Sequence, residues 1–173
     1  MGGAPFATGE SAVAVPVSAA EPLVSSYRAR LDSSAAYGIP AHVTVLYPFL
    51  PAPLLTSAVL DQVRGELGCV PPLEVAFQRL GRLGRVLYLA PEPAEPFEQL
   101  TARFARRWPE APPYGGVHEK VIAHLTVAGS AIDGLLESIA GELATRLPLR
   151  TTLDEAALYL LAAGAGRCAG ASA

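Results

Sequence analysis

The sequence is poor in cysteine and in long apolar runs. Its 173 residues include two cysteines, Cys69 and Cys168, which are too few and too far apart for a disulfide framework or a zinc ribbon, so we expect reduced thiols. No apolar run approaches the roughly 18 residues of a membrane span, and no basic segment precedes an apolar one near the N-terminus. These absences lead us to expect a cytoplasmic protein.

The chain also lacks an excess of positive charge. Its formal net charge is −3, its isoelectric point is near 5.6, and Lys120 is the only lysine among 13 basic residues. Binding along an extended nucleic-acid groove depends on many phosphate contacts, so this balance argues against it. A small local cluster of arginines, such as the one around Arg82, remains compatible with a nucleotide phosphate.

What the sequence has is ample apolar material, 51% of its residues, arranged in alternating strand and helix patterns. We predict an α+β fold with mostly antiparallel sheet, because the order β-α-β-α-β-β-α-β-α-β lacks regular βαβ repetition. One domain is expected over 11–161, with a flexible N-terminus at 1–10 and a flexible Ala/Gly-rich tail at 162–173. The expected strands are 11–17, 41–47, 73–80, 85–90, 121–128 and 151–161. A first helix is expected to begin at Ser18 or Glu21 and to end near Leu31, and three further helices are expected over 52–67, 92–108 and 131–147.

One five-residue pattern occurs twice. Ala-His-Val-Thr-Val begins at Ala41 and Ala-His-Leu-Thr-Val begins at Ala123, 82 positions later. Side chains alternate between the two faces of a strand, so the His and Thr of each copy point the same way and the intervening Val or Leu points the other way. A single histidine in such a strand is more often a satisfied core residue, but the duplication favours two matched functional dyads.

Two imidazoles facing one cleft can divide an acid–base reaction between them. A neutral histidine takes a proton from the nucleophile while a protonated one gives a proton to the leaving group. Phosphodiester cleavage of the ribonuclease type uses such a pair, and threonine hydroxyls can donate hydrogen bonds to the non-bridging phosphate oxygens. No metal or cofactor is required for this chemistry.

Paired His-x-Thr motifs at this spacing resemble those of the two-histidine phosphoesterase superfamily, and within it the 2′-5′ RNA ligase-like and cyclic phosphodiesterase proteins. The resemblance includes the strand at 86–91, the helix after Pro96-Phe97 and the segment 112–116, and it covers roughly residues 11–161. It implies two pseudo-symmetric lobes with outer helices around a central cleft that carries the two motifs.

The resemblance implies catalysis by His42, Thr44, His124 and Thr126, with His42 as proton donor to the leaving oxygen and His124 as base. The implied activity is opening of 2′,3′-cyclic phosphates, or making and breaking of 2′-5′ links, in RNA ends or small nucleotides. A catalytically silent module that binds nucleotides or RNA ends is the alternative, and an interaction protein using an open sheet edge is a third. Family members continue into a further strand after 151–161, which the Gly/Ala-rich end of this chain is not expected to supply.

Four further residues are candidates for substrate binding. Tyr47 and Tyr114 could stack a base at the edge of the cleft, although packing in the core is an equal reading for each. Lys120 and Arg82 could reach a phosphate, and a solvated hairpin face is an equal reading for Arg82. His118 with Glu119 suggests a zinc site only weakly, because their spacing relative to His42 matches no recognised ligand set, so we expect no metal. Phe49 and Tyr88 could also stack a base at the edge of the cleft, but packing in the core is the favoured reading for both.

Overall fold

The computed structural model describes residues 7–117 and 121–162 and, for the main chain, 167–172. Within these residues the chain forms eight strands and four α-helices. The strands are β1 (Ser11–Pro16), β2 (His42–Leu46), β3 (Leu73–Leu83), β4 (Val86–Glu92), β5 (Leu125–Gly129), β6 (Leu149–Leu153), β7 (Glu155–Leu160) and β8 (Arg167–Ser172). The helices are α1 (Glu21–Leu31), α2 (Ser57–Leu67), α3 (Glu95–Arg107) and α4 (Leu135–Ala144).

The strands form one sheet in the order β6-β3-β4-β5-β2-β1-β7-β8, and every pair in it is antiparallel. The two motif strands, β2 and β5, are central neighbours that meet at the pair Val43 and Leu125. On one side of this junction lie β2, β1, β7 and β8, and on the other side lie β5, β4, β3 and β6. The predicted α+β fold with two pseudo-symmetric halves is confirmed.

The main core lies between one face of the sheet and the four helices. Val43 and Leu125 are both fully buried in it, and the most amphipathic helix, α3, contributes Phe97 and Phe104. The helices cross between the halves, since α1 packs on β5 and α3 packs on β2. This leaves the opposite face of the motif strands for the polar side chains that alternate with the core residues.

The predicted final strand is two strands that belong to different halves of the sheet. The single strand expected over 151–161 is interrupted at Asp154, where the chain leaves β6, which pairs with β3, and enters β7, which pairs with β1. Alternation of apolar and polar residues indicates extended backbone, but it does not specify the neighbouring strand. The prediction of one continuous strand was therefore wrong.

The C-terminal segment also differs from expectation. We expected 162–173 to be a flexible tail that could not supply another strand, yet the main chain of Arg167–Ser172 forms β8 along β7. A ladder of backbone hydrogen bonds does not require large side chains, so an Ala/Gly-rich segment can satisfy the open edge of β7. This edge strand corrects the expected departure from the family pattern.

At the N-terminus the expected flexible segment is anchored at its end. The amide of Gly9 donates to the carbonyl of Leu161 at 2.7 Å, and the amide of Leu161 donates to the carbonyl of Glu10 at 2.9 Å. The first part of that expected segment, 1–6, lies outside the described residues.

Several other helices and strands are shorter than predicted. Helix α2 begins only at Ser57, where the Thr56 hydroxyl accepts a hydrogen bond from the amide of Val59, and α4 covers only part of the helix expected over 131–147. Strand β5 begins at Leu125, directly after His124. None of the helices within the described residues is both long enough and apolar enough to cross a membrane.

Candidate active site

The two His-x-Thr motifs lie side by side on the sheet face opposite the helices. Their alternating neighbours Val43 and Leu125 point into the core and form a cross-strand pair. Continuing this antiparallel register by one residue on each side places His42 beside Thr126 and Thr44 beside His124. Diagonal neighbours in such a ladder lie about 7–8 Å apart, which leaves room for a phosphate between the two imidazoles. The four predicted catalytic residues are thus brought together with approximate twofold symmetry.

The repeat extends to an irregularity of the backbone. On β2, Val45 is an extra residue between the pairs Ala14–Thr44 and Val13–Leu46, so the strand has a β-bulge there. On β5 the same bulge occurs between the pairs Tyr88–Thr126 and Leu87–Ala128. A bulge twists a strand and redirects the side chains that follow it, and both bulges directly follow the motif threonines. Each dyad is therefore carried by the same local backbone form.

The imidazole of each histidine is oriented by its own backbone. Nδ1 of His42 lies 2.8 Å from the carbonyl oxygen of Pro40, and Nδ1 of His124 lies 2.7 Å from that of Ile122. A carbonyl only accepts hydrogen bonds, so in both rings Nδ1 must carry the proton. In the neutral state each Nε2 is consequently unprotonated and can accept a proton. This shared tautomer equips either ring to act as a base and, once protonated, as an acid.

Burial keeps both histidines neutral in the free protein. It lowers the pKa of His42 to about 4, and the nearby Arg28 guanidinium also opposes protonation, whereas the Pro40 carbonyl and Asp32 favour it. Burial likewise lowers the pKa of His124, against the effects of the Ile122 carbonyl and Asp32. An anionic phosphate between the rings would favour their protonated forms, so ligand binding and proton uptake should be linked.

A buried ionic network supports the loop that precedes His42, and the sequence analysis did not identify it. Arg28 donates to Asp32 at 2.8 Å, to the Ser34 hydroxyl at 3.0 Å and to the carbonyl of Ile39 at 3.0 Å. Arg28 is only 3% exposed, so these partners compensate the loss of water around its charge. The network fixes Ile39 next to Pro40, whose carbonyl orients the His42 ring. The i, i+4 spacing of Arg28 and Asp32 on a helix was the available signal.

Tyr114 connects the segment before the second motif to the first motif. Its backbone has φ of +51°, its amide donates to the carbonyl of Tyr47 at 2.6 Å, and its hydroxyl shares a hydrogen bond with that of Thr44. Non-glycine residues rarely adopt this left-handed conformation, and surrounding contacts must maintain it. Burial raises the pKa of the Tyr114 phenol. Tyr114 therefore lies at the dyads, the position that a substrate-binding residue would need.

The other binding candidates are placed differently. Tyr47 is buried on the cleft face against Ala12 and Ala14, and its hydroxyl donates to Glu10. Burial and this carboxylate raise the pKa of Tyr47. Arg82 pairs with Glu137 of α4, on the helix-covered face, so the structure does not bring it to the dyads.

Three residues named in the sequence analysis, Lys120, His118 and Glu119, lie outside the described residues. Among residues 7–117 and 121–162, no three His, Cys, Asp or Glu side chains are grouped closely enough to hold a metal ion.

One aromatic residue that we expected in the core lies instead beside the second dyad. Tyr88 is half-buried, and its ring meets the His124 imidazole edge-on, with centroids 5.5 Å apart and an interplanar angle of 64°. Phe49, by contrast, is buried as expected, against Phe104 and Trp108. The signal for Tyr88 was its position on the strand, which becomes informative only when the register with β5 is known.

Comparison with known proteins identifies the family. A family model described as the 2′-5′ RNA ligase superfamily matches residues 15–165, which is most of the chain and includes both motifs. The chain belongs to this superfamily. Its membership agrees with the resemblance drawn from the duplicated motif. A comparison with curated protein sequences finds no match.

Several solved structures share the fold of the chain. Escherichia coli LigT complexed with 3′-AMP matches with a TM-score of 0.58 and 16% identity, over 95% of each chain. LigT complexed with ATP matches with a TM-score of 0.57 and 17% identity, again over 95% of each chain. A structure described as a phosphoesterase matches with a TM-score of 0.55 and 17% identity, over 94% of this chain and 95% of the other. The chain therefore shares the fold of these proteins at low sequence identity.

The protonation state of the two histidines can be measured directly. In ¹⁵N-labelled protein, long-range imidazole correlations should show Nδ1–H tautomers, with His42 neutral down to about pH 4 and the pKa of His124 below its ordinary value. Unfolded histidine binds its proton near pH 6.5, so the contribution of His42 to stability is complete above that pH and is lost as pH falls toward 4. Adding inorganic phosphate should raise both pKa values. Nε2–H tautomers in the free protein would contradict the geometry.

Proposed function

We propose that the protein is a phosphoesterase that opens 2′,3′-cyclic phosphates, or makes and breaks 2′-5′ phosphodiester links, by paired-histidine acid–base catalysis. The observation that carries this proposal is the shared tautomer of His42 and His124. Both rings donate from Nδ1 to a backbone carbonyl and leave Nε2 for proton transfer, on one face of two adjacent strands. Membership of the 2′-5′ RNA ligase superfamily supports the same chemistry.

The hydrolytic step needs two proton transfers and one water molecule. Water attacks phosphorus while Nε2 of His124 takes its proton, and the bond between phosphorus and one ribose oxygen breaks. Nε2–H of His42 gives its proton to that oxygen, so the product is a nucleoside phosphate monoester with one free hydroxyl. The Thr44 and Thr126 hydroxyls donate to the non-bridging oxygens as negative charge builds on them. The two imidazoles supply both transfers, so the step needs no metal.

The environment of the histidines supports this division of roles. Arg28 opposes protonation of His42 but is not among the groups that affect the pKa of His124. Burial and Arg28 both make the protonated form of His42 ready to release its proton. A bound phosphate anion offsets the cost of charging a buried imidazole and would load the proton that His42 later donates.

The net charge of the chain and the position of Arg82 bear on the substrate class. The formal net charge is −3, and the binding candidate Arg82 is occupied by Glu137 away from the dyads. Few cationic contacts to a polyphosphate chain are thus provided by the described residues, which favours a small nucleotide or the end of an RNA over an extended duplex. Nucleotides such as the 3′-AMP and ATP bound to E. coli LigT are of this class.

The proposal is tested by incubating EDTA-treated protein with each of the four nucleoside 2′,3′-cyclic phosphates and with a 2′-5′-linked dinucleotide. Chromatography that resolves 2′- from 3′-phosphates should show one isomer only, because the two dyads have different neighbours, Ala14 beside Thr44 and Tyr88 beside Thr126. The matched control is Asp61→Ala, which removes an exposed ion pair with Arg64 on α2 and should not alter turnover.

The outcome also separates the alternatives. Saturable binding of a nucleotide 2′-phosphate with no product over a long incubation would contradict catalysis and identify a binding module. Turnover that disappears in EDTA and returns with a divalent cation would contradict a mechanism carried by the histidines alone.

A further inference from the structure

The aromatic ring of Tyr88 is fitted between the second dyad and a glycine. On one side, Tyr88 of β4 is the cross-strand neighbour of Thr126 and meets the imidazole of His124 edge-on at 5.5 Å. On the other side it is the cross-strand neighbour of Gly81 in β3. The ring therefore extends across three strands on the face of the sheet that carries the dyads.

Gly81 provides the space that the Tyr88 ring occupies. A Cβ atom at position 81 would lie 2.3 Å from Cζ and 2.4 Å from the hydroxyl oxygen of Tyr88, far closer than carbon atoms approach in proteins. The glycine is inside β3, where the absence of a side chain ordinarily weakens a strand and often marks a close approach. Any side chain here would require the phenol ring to shift from its observed position.

The two dyads differ at the position of this ring. The cross-strand neighbour of Thr44 is Ala14, at the position that corresponds to Tyr88 in the other half of the sheet. His42 is instead held in a buried position supported by the Arg28 network, whereas His124 is only half-buried and precedes the first residue of β5. Tyr88 thus packs against the less buried of the two histidines.

We propose that Tyr88 is a positioning residue that holds the His124 imidazole in its catalytic orientation, and that Gly81 is glycine to admit the Tyr88 ring. The proposal deepens the proposed function, on which its activity readout rests. The ring acts by contact, since it prevents the His124 imidazole from moving to that side and shields it from water. Its hydroxyl lies over Gly81 and is not required for this role.

The effect of Tyr88 on His124 can be separated from the other groups that face this imidazole. Among the described residues, these include Asp32 from the loop after α1, the partner His42 from β2 and the Ile122 carbonyl that accepts from Nδ1. None of them is changed by a substitution in β4. A shift in the titration of His124 after removal of the ring would therefore report the loss of shielding.

The first experiment compares Tyr88→Ala with Tyr88→Phe. In Tyr88→Ala, the NMR titration should show the pKa of His124 rising toward that of a solvated imidazole, and kcat/KM for the cyclic nucleotide should fall about tenfold to hundredfold. Tyr88→Phe keeps the ring and should retain the wild-type titration with activity within about twofold of wild type. The Nδ1–H tautomer of His42 serves as the internal reference, because its hydrogen bond to the Pro40 carbonyl involves no residue of β4.

The second experiment uses Gly81→Ala as an independent route to the same displacement. Alone, it should reproduce the altered His124 titration and the fall in kcat/KM. Added to Tyr88→Ala, it should have little further effect, because the atoms that its Cβ would strike are gone. Such non-additivity is expected for two substitutions that act through one contact.

Two results would overturn the inference. If Tyr88→Ala lowers thermal stability but leaves the His124 titration and kcat/KM unchanged, the ring only covers a glycine in the sheet. If the Gly81→Ala and Tyr88→Ala effects are additive, they do not act through the same contact. The His124 titration needs no turnover, so a wild-type protein without activity would contradict the proposed function and leave this test decisive.

Discussion

Replacing His42 or His124 by alanine will lower kcat/KM for a 2′,3′-cyclic nucleotide by about 10²–10⁴-fold, the usual contribution of a positioned general acid or base. Each substitution removes one Nε2 that transfers a proton, and the described part of this sheet face carries no third histidine that could replace it. The measurement is initial-rate kinetics in EDTA, with circular dichroism to confirm that each variant is folded.

A substrate with an aryl leaving group will assign the two roles. Nitrophenolate departs without protonation, so loss of the acid should matter little for a nitrophenyl phosphodiester, while loss of the base should matter as much as before. With His42 as acid, His42→Ala regains most of its activity on this substrate and His124→Ala does not. The reverse pattern would exchange the assigned roles, and equal defects on both substrates would show that neither imidazole acts as the acid.

The sequence allowed the dyads to be predicted because every step depended on local order. Period-two alternation placed His42 and Thr44 on one face, and the second copy repeated that phase at His124 and Thr126. The strand register confirms that all four share the face opposite Val43 and Leu125. Their crosswise arrangement, with each histidine beside the threonine of the other motif, required the pairing of β2 with β5, which no local pattern specifies.

The features that were missed depend on contacts between distant segments. The single predicted strand over 151–161 became β6 and β7 because its two ends find partners in opposite halves of the sheet. Core packing was the favoured expectation for Tyr88, and its contact with His124 depends on the register of β4 with β5, which no local pattern specifies. The role of Arg28 depends on where the chain returns at Ile39, eleven residues later.

Replacing Thr44 or Thr126 by valine will lower kcat by about 10²–10³-fold for each site, as expected when one hydrogen-bond donor to a developing oxyanion is removed. Valine keeps the β-branched shape, so the strand should be unaffected and the loss should be in kcat more than in KM. Serine variants should recover most of the rate, because they restore the hydroxyl. A defect confined to KM would contradict transition-state stabilisation by these hydroxyls.

The contact between Tyr114 and Thr44 makes the two threonines inequivalent, and a pair of double mutants will reveal it. The Tyr114 hydroxyl shares a hydrogen bond with Thr44, whereas Thr126 has Tyr88 as its cross-strand neighbour. Tyr114→Phe should therefore lower activity by freeing the Thr44 hydroxyl to rotate, and this effect should vanish in a Thr44→Val background. In a Thr126→Val background the same change should retain its full effect. Equal effects of Tyr114→Phe in both backgrounds would show that the phenol acts on the substrate independently of Thr44.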